Sequence, residues 1–382
     1  MSTMPRYIYD EEHEMFRTSV RKFLETEAAP YHAQWEKDGH VDRNLWLKAG
    51  EQGFLSPTVA EEYGGVGVDF RYNAIVNEEV ARAGLTGIGW SLHSDIAVPY
   101  VSRYGSETQK QKYLPKCVSG EIIMSIAMTE PGAGSDLQGI KTTAVKDGDD
   151  YIINGSKTFI TNGQLSDLVI VVAKTDPSAG AKGVSLFLVE DGTPGYNKGA
   201  NLEKIGMKAQ DTSELFFQDV RVSKDQLLGE EGMGFVYLMQ DLPQERLSVA
   251  ITAIANAKAV LEQTVEYVKE RKAFGKSIST FQNTQFKLAE LDTDVTVAEA
   301  YLDRCLQLHI EEAFDSVAAA KCKLMSTDLQ CRLIDECLQL HGGYGYMWEY
   351  PVARAFADSR VQRIYAGTNE IMKLIVGREL LK

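Results

Sequence analysis

Three regions of different periodicity along the 382 residues predict a mainly α protein with a central β-domain, an α–β–α order of elements. Helical spacing governs about Asp10 to Ser119, short β-rich runs punctuated by glycine and aspartate continue to about Glu230, and long helices return after Gly232. The corresponding domains are expected at 1–120, 121–232 and 233–382. An order of this kind predicts one joint structure with a ligand held between layers.

Each region carries its own signal. In "EEHEMFRTSVRKFLETE", Phe16, Val20, Phe23 and Leu24 share one helical face. Gly64, Gly65 and Gly67 in "EEYGGVGVDF" mark a loop between helices. The stretch "DYIINGSKTFITNG" predicts an Asn-Gly turn between two β-rich runs. "DLVIVVAKTD", "GVSLFLVE" and "SELFFQDVRV" read as further strands, spaced as in a sandwich or a barrel. Beyond them, Leu247, Ile251, Ile254, Leu261, Val265 and Val268 form one seam, with Lys258 its single polar member. Leu288, Leu291, Val295, Ala298, Leu302 and Cys305 form a second seam of the same spacing. Two such seams imply antiparallel helices packed in a bundle.

Composition excludes several classes. The formal charge of −14, from 40 basic and 54 acidic residues, argues against sequence-independent binding to nucleic acid or to an anionic membrane. Cys117, Cys305, Cys322, Cys331 and Cys337 show no Cys-x-x-Cys spacing, so free thiols in a reducing compartment are expected, with no disulfide framework and no metal. There is no run of 18 apolar residues, so no membrane span is expected. The start "MSTMPRYIYDEEHEMF" has no apolar signal core and is too acidic for a transit peptide, which leaves a bacterial-type cytoplasmic location by elimination.

Three stretches carry possible chemistry. "AMTEPGAGSDLQG" (Ala127–Gly139) is a glycine-rich loop whose Thr129, Ser135 and backbone amides can donate to a phosphate or a heteroaromatic edge. Strand-like "IKTTAVKDG" follows it, so it lacks the helix of a Rossmann fingerprint, and by spacing alone such a loop is more often a plain turn. "QLHGGYGYMWEYPVARAFAD" (Gln339–Asp358) sets three glycines among aromatics, as backbone against a flat ligand or as a helix C-cap and turn. "ERKAFGKSISTFQ" (Glu270–Gln282) carries Arg271, Lys272 and Lys276 and reads alone as a solvated helix end.

Taken together with "KTFITNG" (Lys157–Gly163) and "IYAGTNEIM" (Ile364–Met372), these stretches resemble the acyl-CoA dehydrogenase family in order and spacing. The resemblance covers essentially the whole chain. From "LPQERLSVA" at Leu242 onward it looks nearest to the long-chain branch. It implies an N-terminal helical domain, a central β-barrel or sandwich, a C-terminal four-helix bundle and a homotetramer (a dimer of dimers). It also implies FAD. By motif position, Met128, Thr129, Gly134, Ser135, Phe159, Ile160 and Thr161 would hold one flavin, and Phe159 stands where a tryptophan is often found. Arg271, Phe274, Gln282, Gln339, Gly342 and Gly343 would reach a flavin bound mainly by a neighbouring subunit, while Thr368 and Glu370 would close over the cofactor.

The implied reaction is α,β-dehydrogenation of an acyl-CoA thioester to the trans-2-enoyl-CoA, with electrons passed to an electron-transfer flavoprotein. It needs a carboxylate base shielded from water and donors to the thioester oxygen. In much of the family a glutamate follows the Ile-Tyr pair, where this chain has Ala366. The Ala366 backbone N–H would still serve the oxygen. In the branches that resemble the long-chain and isovaleryl enzymes the base lies elsewhere, and the matching residue is Glu245 in "DLPQERLSV". Asp241 as N-cap and Pro243 in a first turn would set Glu245 at a helix start. Glu370 is the nearest other carboxylate. Arg246 would face the CoA phosphates, Ser135 would touch the pantetheine and Gly367 would line the acyl channel. Branches with this base location take either straight long chains or short branched ones; the long-chain likeness favours medium to long straight chains.

Overall fold

The computed structural model describes residues 4–382. Six helices come first: α1 (Glu11–Phe23), α2 (His32–Asp38), α3 (Arg43–Glu51), α4 (Phe70–Arg82), α5 (Val98–Tyr104) and α6 (Glu107–Val118). Asp10 and His13 close a capping box at the start of α1, and Ser106 with Gln109 closes another on α6. Val20 and Leu24 are buried, with Phe16 and Phe23 packed against the same cluster, as their spacing predicts. The chain enters α5 through a π-helical stretch, Leu92–Ala97. Such wide turns are rare and concentrate at functional sites.

Eight strands follow: β1 (Met124–Ala127), β2 (Thr143–Asp147), β3 (Asp150–Thr161), β4 (Leu168–Lys174), β5 (Val184–Glu190), β6 (Tyr196–Asn201), β7 (Thr212–Ser223) and β8 (Leu227–Leu228). They make one mixed sheet ordered β6-β7-β3-β2-β4-β5-β8, with β1 parallel to β4. Only the pair Thr143–Lys174 joins its two halves. The halves face each other across an apolar layer, with Val169, Val171, Phe187 and Val189 opposite Tyr151, Ile153, Leu215 and Phe217. The hydrogen-bonded path stays open at β6 and β8, so the arrangement is sandwich-like and no barrel closes. β4 is apolar up to its last residue, Lys174, because both its faces are covered: Leu168, Ile170 and Val172 pack with residues of α5 and α6 on the other side.

One local expectation is overturned. Asn154-Gly155 makes no turn; it lies inside the continuous strand β3, at a register shift between Ile153 and Gly155. A Cβ at Gly155 would come within 2.4 Å of the Thr142 hydroxyl, so the glycine answers to close backbone approach. Asn154 is held by two reciprocal bonds with Asp219 on β7, at 2.9 and 3.0 Å.

The last region holds α7 (Gly234–Glu270), a hairpin of β9 (Lys272–Ala273) and β10 (Lys276–Ser277), then α8 (Gln282–Ile310), α9 (Ser316–His341), α10 (Pro351–Ser359) and α11 (Asn369–Leu380). Both predicted seams meet in one core with α4 and α9 residues. Each fully buried aliphatic side chain there contributes about 1.5–3 kcal/mol. The pairs Asn256–Gln330 and Tyr267–His341 keep a constant offset, so α7 and α9 run parallel. Lys287–Glu336 and Arg332–Asp294 show α8 antiparallel to both. Lys258 turns its ammonium to Glu299 on α8, 2.7 Å away. Among the described residues no helix is long and apolar enough to cross a membrane.

Candidate active site

Glu245 lies well inside α7 and not at a helix start. The helix begins at Gly234, Pro243 sits within it, and Asp241 pairs with Arg103 of α5 where an N-cap role was expected. Tertiary packing overrides the local breaker here, since α5 and the π-helical stretch before it bond to this part of α7. The consequence is chemical. Glu245 is 4% exposed, and its carboxylate accepts one hydrogen bond, from the Tyr100 hydroxyl at 3.1 Å. Burial pushes its pKa up to about 7, with the Tyr100 bond and the Arg246 charge opposing. A carboxylate poised near neutrality in a dry site suits a general base. Glu370 is the reverse: it is exposed, and the backbone amide at the start of α11 and the Thr368 hydroxyl hold it below the usual carboxylate range.

Ala366 and Gly367 form a left-handed turn, with φ of +52° and +85°. For alanine that conformation is strained, and such strain gathers at functional sites. Two buried cations hold the turn. Arg246 Nε donates to the Ala366 carbonyl at 3.3 Å, and Lys323 Nζ on α9 donates to the Gly367 carbonyl at 2.9 Å. Lys323 also reaches Asn369 Oδ1 at 2.8 Å, and Asn369 donates in turn to Thr327 and Asp328. Both carbonyls of the turn are thus taken, whereas the Ala366 N–H meets no protein acceptor among the described residues. Arg246 is 5% exposed and serves this turn from inside, so its expected contact with the CoA phosphates is corrected: polyanionic phosphates stay near water, and this guanidinium does not.

The glycine-rich stretch is both a turn and a platform. Glu130 and Ala133 exchange two backbone bonds, at 2.9 and 3.1 Å. The buried Lys157 ammonium anchors the turn from β3, donating to Glu130 at 2.8 Å and to the Met128 carbonyl at 3.0 Å. Burial pushes the Glu130 carboxyl up, but Lys157 and the Thr142 amide outweigh it and hold it below its ordinary range. The Thr158 amide donates to the Thr129 carbonyl at 2.9 Å, which sets Phe159 beside Thr129. Phe159 is 67% exposed at φ +60°, an aromatic face held outward, while Ile160 is buried beneath and Thr161 is half-buried. A Cβ on Gly132 or Gly134 would meet no atom, and Ser135 is exposed. Met128 packs against the apolar cluster that includes Tyr100 and Leu238, which ties this platform to the Glu245 side.

The second set gathers elsewhere. A groove of about 430 Å³ is lined by Arg271, Gln339, Gly342 and Gly343 together with Tyr267, Tyr344 and Met347. The Arg271 guanidinium sits 5.3 Å from the Tyr344 ring centre. Gly342 ends α9 at φ +60°, so the C-cap reading of "HGGYGY" is also correct. Phe274 projects from the hairpin at φ +52°, and Gln282 opens α8. Glu245 and Arg271 are 26 residues apart (271 − 245) on one helix, about 39 Å. The two sets therefore cannot hold one and the same small group. Each fits part of a flavin dinucleotide: the first offers a flat apolar wall with hydroxyl and amide donors, the second a guanidinium, an amide and bare backbone.

Sequence reasoning missed Tyr100, Lys323 and the Lys157–Glu130 pair as parts of the site. Lys157 and Glu130 lay within stretches already singled out, and Lys323 lies in the small-residue run "AAAKCKLMST", where one lysine of two had to face inward. Nothing local marks Tyr100.

The chain is similar to known proteins over nearly its full length. It matches the family descriptions "Acyl-CoA dehydrogenase, N-terminal domain" at residues 10–121, "middle domain" at 125–220 and "C-terminal domain" at 232–381. It is 56% identical to the long-chain specific acyl-CoA dehydrogenase, mitochondrial, of Sus scrofa, over 98% of this chain and 88% of that protein. The crystal structure of an acyl-CoA dehydrogenase from Geobacillus kaustophilus superposes with a TM-score of 0.97 at 52% identity, covering 99% of this chain and 100% of the other. A glutaryl-CoA dehydrogenase from Mycobacterium smegmatis in complex with FADH2 superposes with a TM-score of 0.92 at 29% identity, covering 98% and 95%.

Proposed function

The chain belongs to the acyl-CoA dehydrogenase family, and from that premise we propose that it oxidises medium to long straight-chain acyl-CoA thioesters to trans-2-enoyl-CoA with Glu245 as the base. Glu245 takes the α-proton. The Ala366 N–H, left free by a turn whose carbonyls are spent on Arg246 and Lys323, stabilises the oxygen of the developing enolate. Bound FAD supplies the two-electron acceptor for the β-hydrogen. Met128, Thr129, Gly134, Ser135, Phe159, Ile160, Thr161, Thr368 and Glu370 would hold the flavin, and Ser135 would also touch the pantetheine. Gly367 lines the acyl channel.

The observation that carries this reading is the burial of Glu245 beside Arg246, which itself reaches the Ala366 carbonyl. Arg271, Phe274, Gln282, Gln339, Gly342 and Gly343 serve a flavin of a second copy in a homotetramer, since Arg271 lies about 39 Å from Glu245 along α7 and shares its groove with Gln339, Gly342 and Gly343. Long-chain substrates are favoured by the likeness to the porcine long-chain enzyme. An electron-transfer flavoprotein is the proposed electron acceptor. Five unpaired cysteines support a reducing compartment, in our reading the cytoplasm.

The test is anaerobic bleaching of the flavin by octanoyl-CoA and longer acyl-CoAs. Glu245→Gln keeps FAD and binds acyl-CoA but loses reduction by about 10²–10⁴-fold. Near-normal reduction in that variant would return the role of base to Glu370.

A further inference from the structure

We propose that Tyr100 is a positioning residue for the base, its hydroxyl aiming the Glu245 carboxylate and favouring its ionised form. The inference rests on the reading of Glu245 as base. The Tyr100 ring is fully buried and its hydroxyl is the one hydrogen-bond donor to Glu245 among the described residues. An unpartnered carboxylate in such a place would be costly, and this bond is what answers that cost.

The surrounding contacts bear on position as well as charge. α5 meets α7 along a continuous polar seam. Tyr104 stacks on Tyr237 at 4.0 Å and donates to Gln240 at 3.1 Å. Arg103 pairs with Asp241 and donates to Gln244 at 2.7 Å, and Gln244 donates to the Asp95 carbonyl at 2.6 Å. Tyr100 ends the seam on Glu245. The spacing 100, 103 and 104 on α5 faces 237, 240, 241, 244 and 245 on α7, so the tyrosine is held at both sides of its bond. Asp95 itself lies in the π-helical stretch and takes the amides of Asn73 and Asn77 at 2.7 and 2.6 Å. The seam thus reaches from the base back to the core of the N-terminal helices.

The charged and titratable groups near Glu245 are few. On α7 they are Arg246 and Asp241; on α5, Arg103 and Tyr104; in the π-helical stretch, Asp95; on α9, Lys323. Arg103 is neutralised by Asp241, Asp95 is met by two amides, and Lys323 is turned to the Gly367 carbonyl. Tyr100 and Arg246 therefore remain as the groups that favour the carboxylate, and Tyr100 alone does so through a hydrogen bond.

The experiment is the pH dependence of the second-order rate constant for anaerobic flavin reduction by octanoyl-CoA, measured on the holoenzyme. In the wild type the rate falls on the acid side of about pH 7, where Glu245 takes up a proton. Tyr100→Phe keeps the ring and deletes the donor, so the acid limb moves up by about one pH unit while the alkaline plateau stays. Below the limb this is a loss of about tenfold. Placing a fluorinated tyrosine at position 100 keeps the fold undisturbed should the phenylalanine variant not fold. Its more acidic hydroxyl donates more strongly and moves the limb down. An acid limb and a plateau rate that both stay put in both variants overturn the role of Tyr100 and leave Glu245 as base. Reduction that survives Glu245→Gln overturns both.

Discussion

Replacing Lys323 by methionine tests how the Ala366–Gly367 turn is held. The side chain keeps its length and apolar stem but loses an ammonium that donates to the Gly367 carbonyl and to Asn369. Two hydrogen bonds from a charged donor are worth about 1.5–3 kcal/mol each, so about 3–6 together. Against them stands the cost of the buried charge: burial, with the Arg246 cation adding to it, pulls the lysine from an ordinary value near 10.5 to about 8. That difference is worth about 3 kcal/mol at neutral pH. The net loss of stability is therefore small, about 0–3 kcal/mol. The effect on catalysis is larger, because a turn freed to shift its N–H loses about 10- to 100-fold in the rate of flavin reduction. The sign of the pH effect also follows. Between pH 8 and 10.5 the unfolded lysine binds a proton that the folded one has lost, so the wild type gains stability with rising pH relative to Lys323→Met. Urea unfolding at a series of pH values reads this difference, and stopped-flow reduction reads the rate. Lys321→Met, an exposed neighbour, serves as control. Wild-type reduction rates in Lys323→Met would refute the idea that this lysine holds the oxygen-binding turn.

Two further changes address the turn and the platform. Gly367→Ala forces a side chain onto φ +85°, at about 1–2 kcal/mol, and sets a Cβ 2.8 Å from the flexible end of Met372. Thermal unfolding should come a few degrees lower and flavin reduction should slow, whereas Gly377→Ala, on open helix surface, should leave both intact or improve stability. Glu130→Gln leaves the Lys157 ammonium buried without its counter-charge, a loss of up to about 3–5 kcal/mol that loosens the glycine-rich turn. FAD release, followed by its fluorescence, should then occur at lower urea; release unchanged from wild type would remove the pair from the cofactor platform.

The two apolar seams, the strand runs and the five motifs were legible because they are local: a helix face, a two-residue alternation or a glycine cluster is written in neighbouring residues. The same logic misplaced Asn154-Gly155, since a turn dipeptide can equally mark a strand held tight against Thr142, and it misplaced the start of α7, since Pro243 is carried by packing that no local rule reports. It also turned Arg246 outward, because charge alone does not say whether a guanidinium meets water or a backbone carbonyl.

What the sequence by itself determined is the order of the layers, the family likeness and the fact that Ala366 brings no carboxylate while Glu245 can. What only the tertiary structure decided is whether Glu245 has the surroundings a base needs. Burial pushes its pKa up to about 7, and its one hydrogen-bond donor among the described residues, Tyr100, lies 145 positions away. Desolvation and long-range hydrogen bonds are properties of packed neighbours, so they have no local trace along the chain.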